Sequence, residues 1–266
     1  MWYNYKRTKF SFENFLWRIY AKQYDGLLKY HEQYKKLVYN VTNIMNYNLK
    51  NENQKILDAG CGTGNFTMAL AEEGFTAIGI DRSDAMLKMA SGKVCAVPFR
   101  DRCNFILADI EGEFAFSRGK RFDGAIAIHS FYTLRDKSSF LARVYDILND
   151  GGIFIICDPS RRMSAREILK ESLFSLKKEL KSGRKIQELA SIIAGMIIVT
   201  TSNILIQRMK KNKFRCFNRT ELIDFLISAG FKIISAEESC LNNSHVFIVA
   251  QKQKELPDQY KNKGIN

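Results

Sequence analysis

The segment KILDAGCGTGNF, Lys55 to Phe66, places an apolar run in front of Asp58, follows it with Gly60, Gly62 and Gly64, and then enters a helical pattern. A strand, a tight turn and a helix in that order make a nucleoside site. Glycines there adopt positive φ and let a ligand reach the backbone, where a Cβ would stand in the way. In the G-x-G-x-x-G register that serves dinucleotides the third glycine would fall at position 65, but Asn65 stands there and the third glycine is Gly64. The spacing therefore excludes the NAD form. Asp58, beside two glycines, reads either as a turn cap or as a group that orients the ligand. Cys61 has no basic neighbour in sequence to make a thiolate, so it reads as a packing residue of the loop rather than a nucleophile.

The D-x-G-x-G-x-G pattern from Asp58 to Gly64 resembles motif I of class I S-adenosylmethionine-dependent methyltransferases. The resemblance covers residues 55 to about 160 and, more loosely, 218 to 251. It implies S-adenosylmethionine as cofactor, S-adenosylhomocysteine as product, and a cofactor site made of Asp58, Gly60, Cys61, Gly62, Gly64, Asp81, Arg82, Asp109 and Ile110. AIGID ends on Asp81, about 20 residues past the glycine turn, where a carboxylate can accept both ribose hydroxyls; Arg82 follows it. FILADI supplies Asp109, which the resemblance assigns to the adenine amino group, with the N–H of Ile110 on a ring nitrogen. The stretch FDGAIAIHSFYTL matches the fourth strand, whose end borders the methionine moiety and the acceptor.

Methyl transfer from a sulfonium asks the protein for proximity, orientation and exclusion of water, with no metal. A carbon or oxygen acceptor also needs a proton removed. His129, at the end of the fourth strand, is the first candidate base and also reads as a pocket-shaping or packing residue; Tyr132 is the second. In the N-terminal arm Tyr20, Tyr24 and Asp25 are similar to the aromatic-containing arm that closes over the cofactor in small-molecule methyltransferases, so Tyr24 joins His129 as an expected cofactor contact. His31 and His245 read as structural or exposed.

Apolar runs alternating with helical patterns position these residues, and they predict an α/β fold: a Rossmann-like, seven-stranded, mostly parallel sheet with helices on both faces. Strands are expected near 55–59, 76–81, 104–109, 122–129, 152–158, 231–237 and 245–251, the last two antiparallel across a short loop. Helices are expected near 64–73, 83–92, 137–148 and 219–229, with Ser83 as a cap and Asn218 three residues before Glu221 as a capping-box spacing. Residues 1–50 form a helical lid, 51–160 and 218–253 the catalytic core, 161–217 a helical insert after strand five, and 254–266 a tail.

The chain is 46% hydrophobic and 26% charged, an ordinary globular balance. Six cysteines without a C-x-x-C pair exclude a disulfide frame or zinc site, and MWYNYKRTKFSF has no apolar leader core, so a cytoplasmic enzyme is expected. The formal charge of +13 is uneven. Residues 1–50 carry nine Lys and Arg against three acids, 161–217 fourteen against four, and 51–160 twelve against fifteen. The insert holds an uncharged stretch, Leu189 to Ile206, between KSGRK and RMKKNK; it reads as a buried cap helix, an interfacial helix or a membrane span. IHSF after the fourth strand is not the N/D/S-P-P-Y/F motif that grips planar amines. Basic and apolar surfaces side by side point to a small-molecule or lipid-like acceptor, with peripheral contact to an anionic membrane surface through 161–217. In its type of core, lid and insert the chain resembles the ubiquinone/menaquinone-biosynthesis and sterol methyltransferase group, a resemblance that implies fold and cofactor. An RNA methyltransferase using the same basic face, and a noncatalytic S-adenosylmethionine-binding adaptor, stand as the alternatives.

Overall fold

The computed structural model describes residues 25, 32–49, 53–112, 119, 121–161, 215–239 and 244–253. Tyr20, Tyr24 and His31 of the arm, the uncharged stretch 189–206 with the rest of the insert, and the tail lie outside the described residues. Helix α1 (Glu32–Asn48) precedes β1 (Lys55–Ala59), α2 (Asn65–Glu72), β2 (Thr76–Asp81), α3 (Asp84–Val94), β3 (Cys103–Leu107), β4 (Phe122–Ile128), α4 (Lys137–Ile147), β5 (Leu148–Pro159), α5 (Arg219–Ser228), β6 (Phe231–Ser239) and β7 (His245–Lys252). The strands form one seven-stranded sheet in the order β3-β2-β1-β4-β5-β7-β6. β1 to β5 pair in parallel, and β7 runs antiparallel to both neighbours, β5 and β6. The mostly parallel sheet and the antiparallel β6–β7 pair are those expected from the sequence.

Both faces of the sheet are covered, because strand residues alternate between two apolar layers. Leu57, Ala125, Phe154 and Ile248 pack with Phe140, Leu141 and Val144 of α4 and Leu222 and Leu226 of α5. Their neighbours Ile56, Ile126, Ile155 and Val249 pack with Leu37, Val41 and Met45 of α1 and Phe66 and Leu70 of α2. A β-carbon added at Gly124 of β4 would stand 3.0 Å from the Met45 sulfur, so a small residue there lets α1 lie close on the sheet. The part of the arm from Glu32 onward is thus a core helix.

Local signals hold the element ends. Ser83 accepts the Met86 N–H, and Asn218 and Glu221 form a reciprocal capping box. Among the boundaries that differ from expectation, two alter how the sheet ends. β3 stops at Leu107, so Asp109 stands two residues past the strand in a turn where Gly112 N–H returns to its carbonyl at 3.0 Å. β5 begins at Leu148 and carries Asn149 to Gly152 as a register shift against β4.

Chain order reverses between β1 and β4. β2 and β3 lie to one side of β1, and β4 and β5 to the other, which opens a crevice at the C-terminal ends of β1 and β4.

Candidate active site

The glycine turn fills that crevice. After Ala59 the chain crosses the end of β2, and the Ile80 carbonyl accepts the N–H groups of Gly60 at 2.8 Å and Cys61 at 3.0 Å. Gly60, Gly62 and Gly64 have φ of 85°, 55° and 78°. A β-carbon on Gly60 would lie 2.6 Å from that of Ser130, and one on Gly64 2.7 Å from the Phe105 ring; one on Gly62 would meet nothing within 4 Å. The turn is packed shut at its ends and open at its middle glycine, so a ligand can lie against the backbone there.

Three acids support the turn in different ways. The Asp81 carboxylate accepts Gly62 N–H at 2.9 Å and Ser83 N–H at 2.7 Å. Burial raises its pKa, and the two donors oppose that rise. Asp58 is buried beneath the turn, where it accepts the Thr67 hydroxyl at 2.6 Å and so fastens α2 to β1. Burial is the main cause that pushes its pKa up to about 7; the charge of Asp81 adds to it, and Thr67 opposes it. Asp109 caps its own turn, accepting Glu111 N–H at 2.9 Å, and Ile110 reaches back toward Gly60. Arg143 of α4 donates to the carbonyls of Ile110 and Glu111 at 3.2 and 3.3 Å and holds that loop against the sheet.

Cys61 is buried, its sulfur 2.8 Å from where a β-carbon of Gly79 would stand. Burial, with Asp58 and Asp81 nearby, raises its pKa and keeps the thiol protonated. Arg82 is exposed beside Asp81.

The other wall of the crevice is the segment after β4. His129 has a left-handed φ of 54°, unusual for a non-glycine residue, and its N–H donates to the Cys157 carbonyl at 2.7 Å. The bend turns the chain so that Ser130 meets Gly60 and its hydroxyl reaches the Ala59 carbonyl at 2.7 Å. β7 is antiparallel, so its first residue, His245, lies at this same edge. The His129 and His245 rings sit 4.8 Å apart, and the Ser244 hydroxyl lies 2.8 Å from His245 Nδ1. Tyr132 donates its N–H to Asp158 at 2.8 Å. Asp158 is buried, which raises its carboxyl well above the usual range. Lys137, also buried, donates to the Leu134 carbonyl at 2.5 Å and stands over the Phe131 and Phe217 rings, 5.9 and 5.1 Å from their centres. Burial lowers its pKa.

The structure therefore gathers Asp58, Gly60, Cys61, Gly62, Gly64, Asp81, Asp109, Ile110, His129 and Tyr132 around one crevice. It adds Thr67, Ser130, Arg143, Asp158 and His245, which sequence reasoning missed. Only Asp158, a carboxylate at the end of an apolar strand, carried a local signal. The fit to a nucleoside cofactor is chemical: an open backbone at Gly62, a carboxylate beside it, and a second acid-bearing turn one strand further out. Among the described residues no cluster of metal-ligating side chains occurs, and no helix is long and apolar enough to cross a membrane.

Comparison with known proteins agrees with this geometry. A carboxy-S-adenosyl-L-methionine synthase from Campylobacter lari is 28% identical over 192 residues, 70% of this chain and 72% of its own. An uncharacterised methyltransferase from a Geobacillus species is 26% identical over 204 residues, 75% and 88% of the two chains. Magnesium protoporphyrin IX methyltransferase from Synechocystis, solved with bound SAH, shares the fold with a TM-score of 0.56 at 15% identity, over 83% of this chain and 84% of its own. The family model described as "Methyltransferase domain" matches residues 50–221. The chain belongs to that methyltransferase-domain family and is a class I S-adenosylmethionine-dependent methyltransferase.

Proposed function

We propose that this enzyme methylates a small-molecule or lipid-like acceptor seated at the sheet edge where His129 faces His245. When bound, S-adenosylmethionine supplies a methyl group already activated on a sulfonium, open to in-line displacement by the acceptor. The chain's own residues do the rest. The backbone at Gly60–Gly64 lies along the cofactor, Asp81 takes the ribose hydroxyls, the Asp109–Ile110 turn holds the adenine edge, and Asp58, from beneath, favours positive charge at the methionine end. His129 takes the acceptor's proton, and Tyr132 flanks it.

The observation that carries the reading is the contact of Gly60 with Ser130. It sets the segment holding His129 directly against the glycine turn, which supports one crevice for acceptor and cofactor. The lipid-like class draws support from the basic excess of residues 1–50 and 161–217 and from the uncharged stretch 189–206, which together suit an anionic membrane surface.

Radiolabelled methyl cofactor incubated with separate lipid, RNA and small-metabolite fractions tests this. Label in the lipid or metabolite fraction supports the proposal; label in RNA alone overturns it. Mass spectrometry of the recovered cofactor adds a second outcome. A carboxylated cofactor would place the chain with the carboxy-S-adenosyl-L-methionine synthases it is similar to, and would also overturn the proposal.

A further inference from the structure

The outer side of the glycine turn is held by a residue far away in sequence. Asp25 accepts the Thr63 hydroxyl at 2.6 Å and the Asn65 amide at 3.1 Å on one oxygen. Its other oxygen meets the Lys93 ammonium at 2.7 Å, and Lys93 also donates to Asn65 Oδ1 at 2.6 Å. Asp25, Asn65 and Lys93 thus form a closed ring in which the amide donates to the anion and accepts from the cation. Their charged side chains are only 22% and 28% exposed, so solvent and salt screen the pair less than a surface bridge.

The ring sits where the turn needs it. Three glycines at positive φ supply no side chains to restrain their own backbone. From inside, the Ile80 carbonyl and Asp81 hold residues 60–62. From outside, Thr63 and Asn65, on either side of Gly64, are both tied to Asp25. Lys93 stands in the last turn of α3, where a cation is favoured by the helix dipole, and so comes to the ring from a fixed element.

We propose that Asp25, locked by Lys93, is a positioning residue for the cofactor. It fixes residues 63–65 so that the backbone of the glycine turn is preset for binding. The inference rests on the S-adenosylmethionine reading of this site, and the experiment separates the two.

Calorimetry with S-adenosylhomocysteine as probe, on the full chain, measures affinity in wild type, Asp25→Ala, Lys93→Met, Thr63→Val, the Asp25→Ala/Lys93→Met double variant and Lys88→Ala. Lys88 pairs with Asp84 on the exposed side of α3 and serves as control. Expected are a loss of about tenfold in Asp25→Ala, a smaller loss in Lys93→Met, no further loss in the double variant, and no change in Lys88→Ala. Displaced Gly62 and Gly64 amide resonances in the ligand-free variants would show that the turn itself has moved. If wild type binds and Asp25→Ala binds within twofold of it with those amides unmoved, the positioning role is wrong. If Asp25→Ala does not fold, Thr63→Val and Lys93→Met carry the same test. If wild type does not bind, the cofactor reading fails instead.

Discussion

Asp81 accepts the backbone N–H of Gly62 at 2.9 Å and so joins the end of β2 to the open centre of the glycine turn. One carboxylate therefore shapes the cradle and is placed to hold what lies in it. Asp81→Asn gives up the charge and turns one acceptor into a donor, so that the N–H of Gly62 or of Ser83 loses its partner. S-adenosylhomocysteine affinity should fall by roughly 10- to 100-fold, the range for losing one or two charge-assisted hydrogen bonds. Calorimetry checks it, and affinity equal to wild type would detach Asp81 from the ribose.

Gly62 and Gly64 should respond to alanine in opposite ways. At Gly64 the new methyl meets the Phe105 ring at 2.7 Å on top of a φ of 78°, so folding stability should drop by about 2–4 kcal/mol. At Gly62 there is open space, so the left-handed φ alone should cost about 1–2 kcal/mol, yet the methyl stands where the ligand goes. Thermal melts with and without S-adenosylhomocysteine should show Gly64→Ala as the less stable protein and Gly62→Ala as the one that has lost ligand stabilisation.

Asp58 gives the site a pH dependence. Its folded pKa of about 7 lies above the ordinary 3.8, so the folded protein holds the proton more tightly than the unfolded chain does. That contribution to stability is full below about pH 4 and is lost as pH rises through 7. Asp81 and Asp158 shift in the same direction, so the readout is the difference between wild type and Asp58→Asn. Without cofactor, wild type should lose melting temperature relative to Asp58→Asn between pH 5 and 8. The ionised carboxylate favours a positive ligand, so affinity for S-adenosylmethionine should rise over the same interval, more than for its uncharged-sulfur product. A flat affinity profile would show that Asp58 does not sense the ligand.

Much of this site was legible in the sequence because it is local. The glycine register, the acids at 58, 81 and 109 and the apolar strands that deliver them are encoded within short segments, and a parallel sheet brings successive strand ends together. What sequence reasoning missed is what tertiary contact alone creates. His245 read as structural or exposed because nothing in its segment signals that β7 enters antiparallel beside β5. Ser130 is an ordinary serine until the bend at His129 sets it against Gly60. Asp109 reads as the end of the strand because the apolar run from Phe105 continues to Ala108, while the pairing stops at Leu107.

The two imidazoles yield the last prediction. The His129 and His245 rings lie 4.8 Å apart, so the second imidazole packs against the one proposed to take the acceptor's proton. With the acceptor seated beside this pair as proposed, His129→Ala should leave S-adenosylhomocysteine affinity within about twofold while lowering turnover by roughly 10²- to 10⁴-fold, the span of general-base catalysis. His245→Ala should cost less, since it changes the neighbour of the base rather than the base. His245→Phe keeps a ring beside His129 but removes the second imidazole. If it restores the wild-type rate, His245 is packing alone. Unchanged turnover in His129→Ala would leave that residue only the role its left-handed backbone already gives it, bending the chain so that Ser130 can meet Gly60.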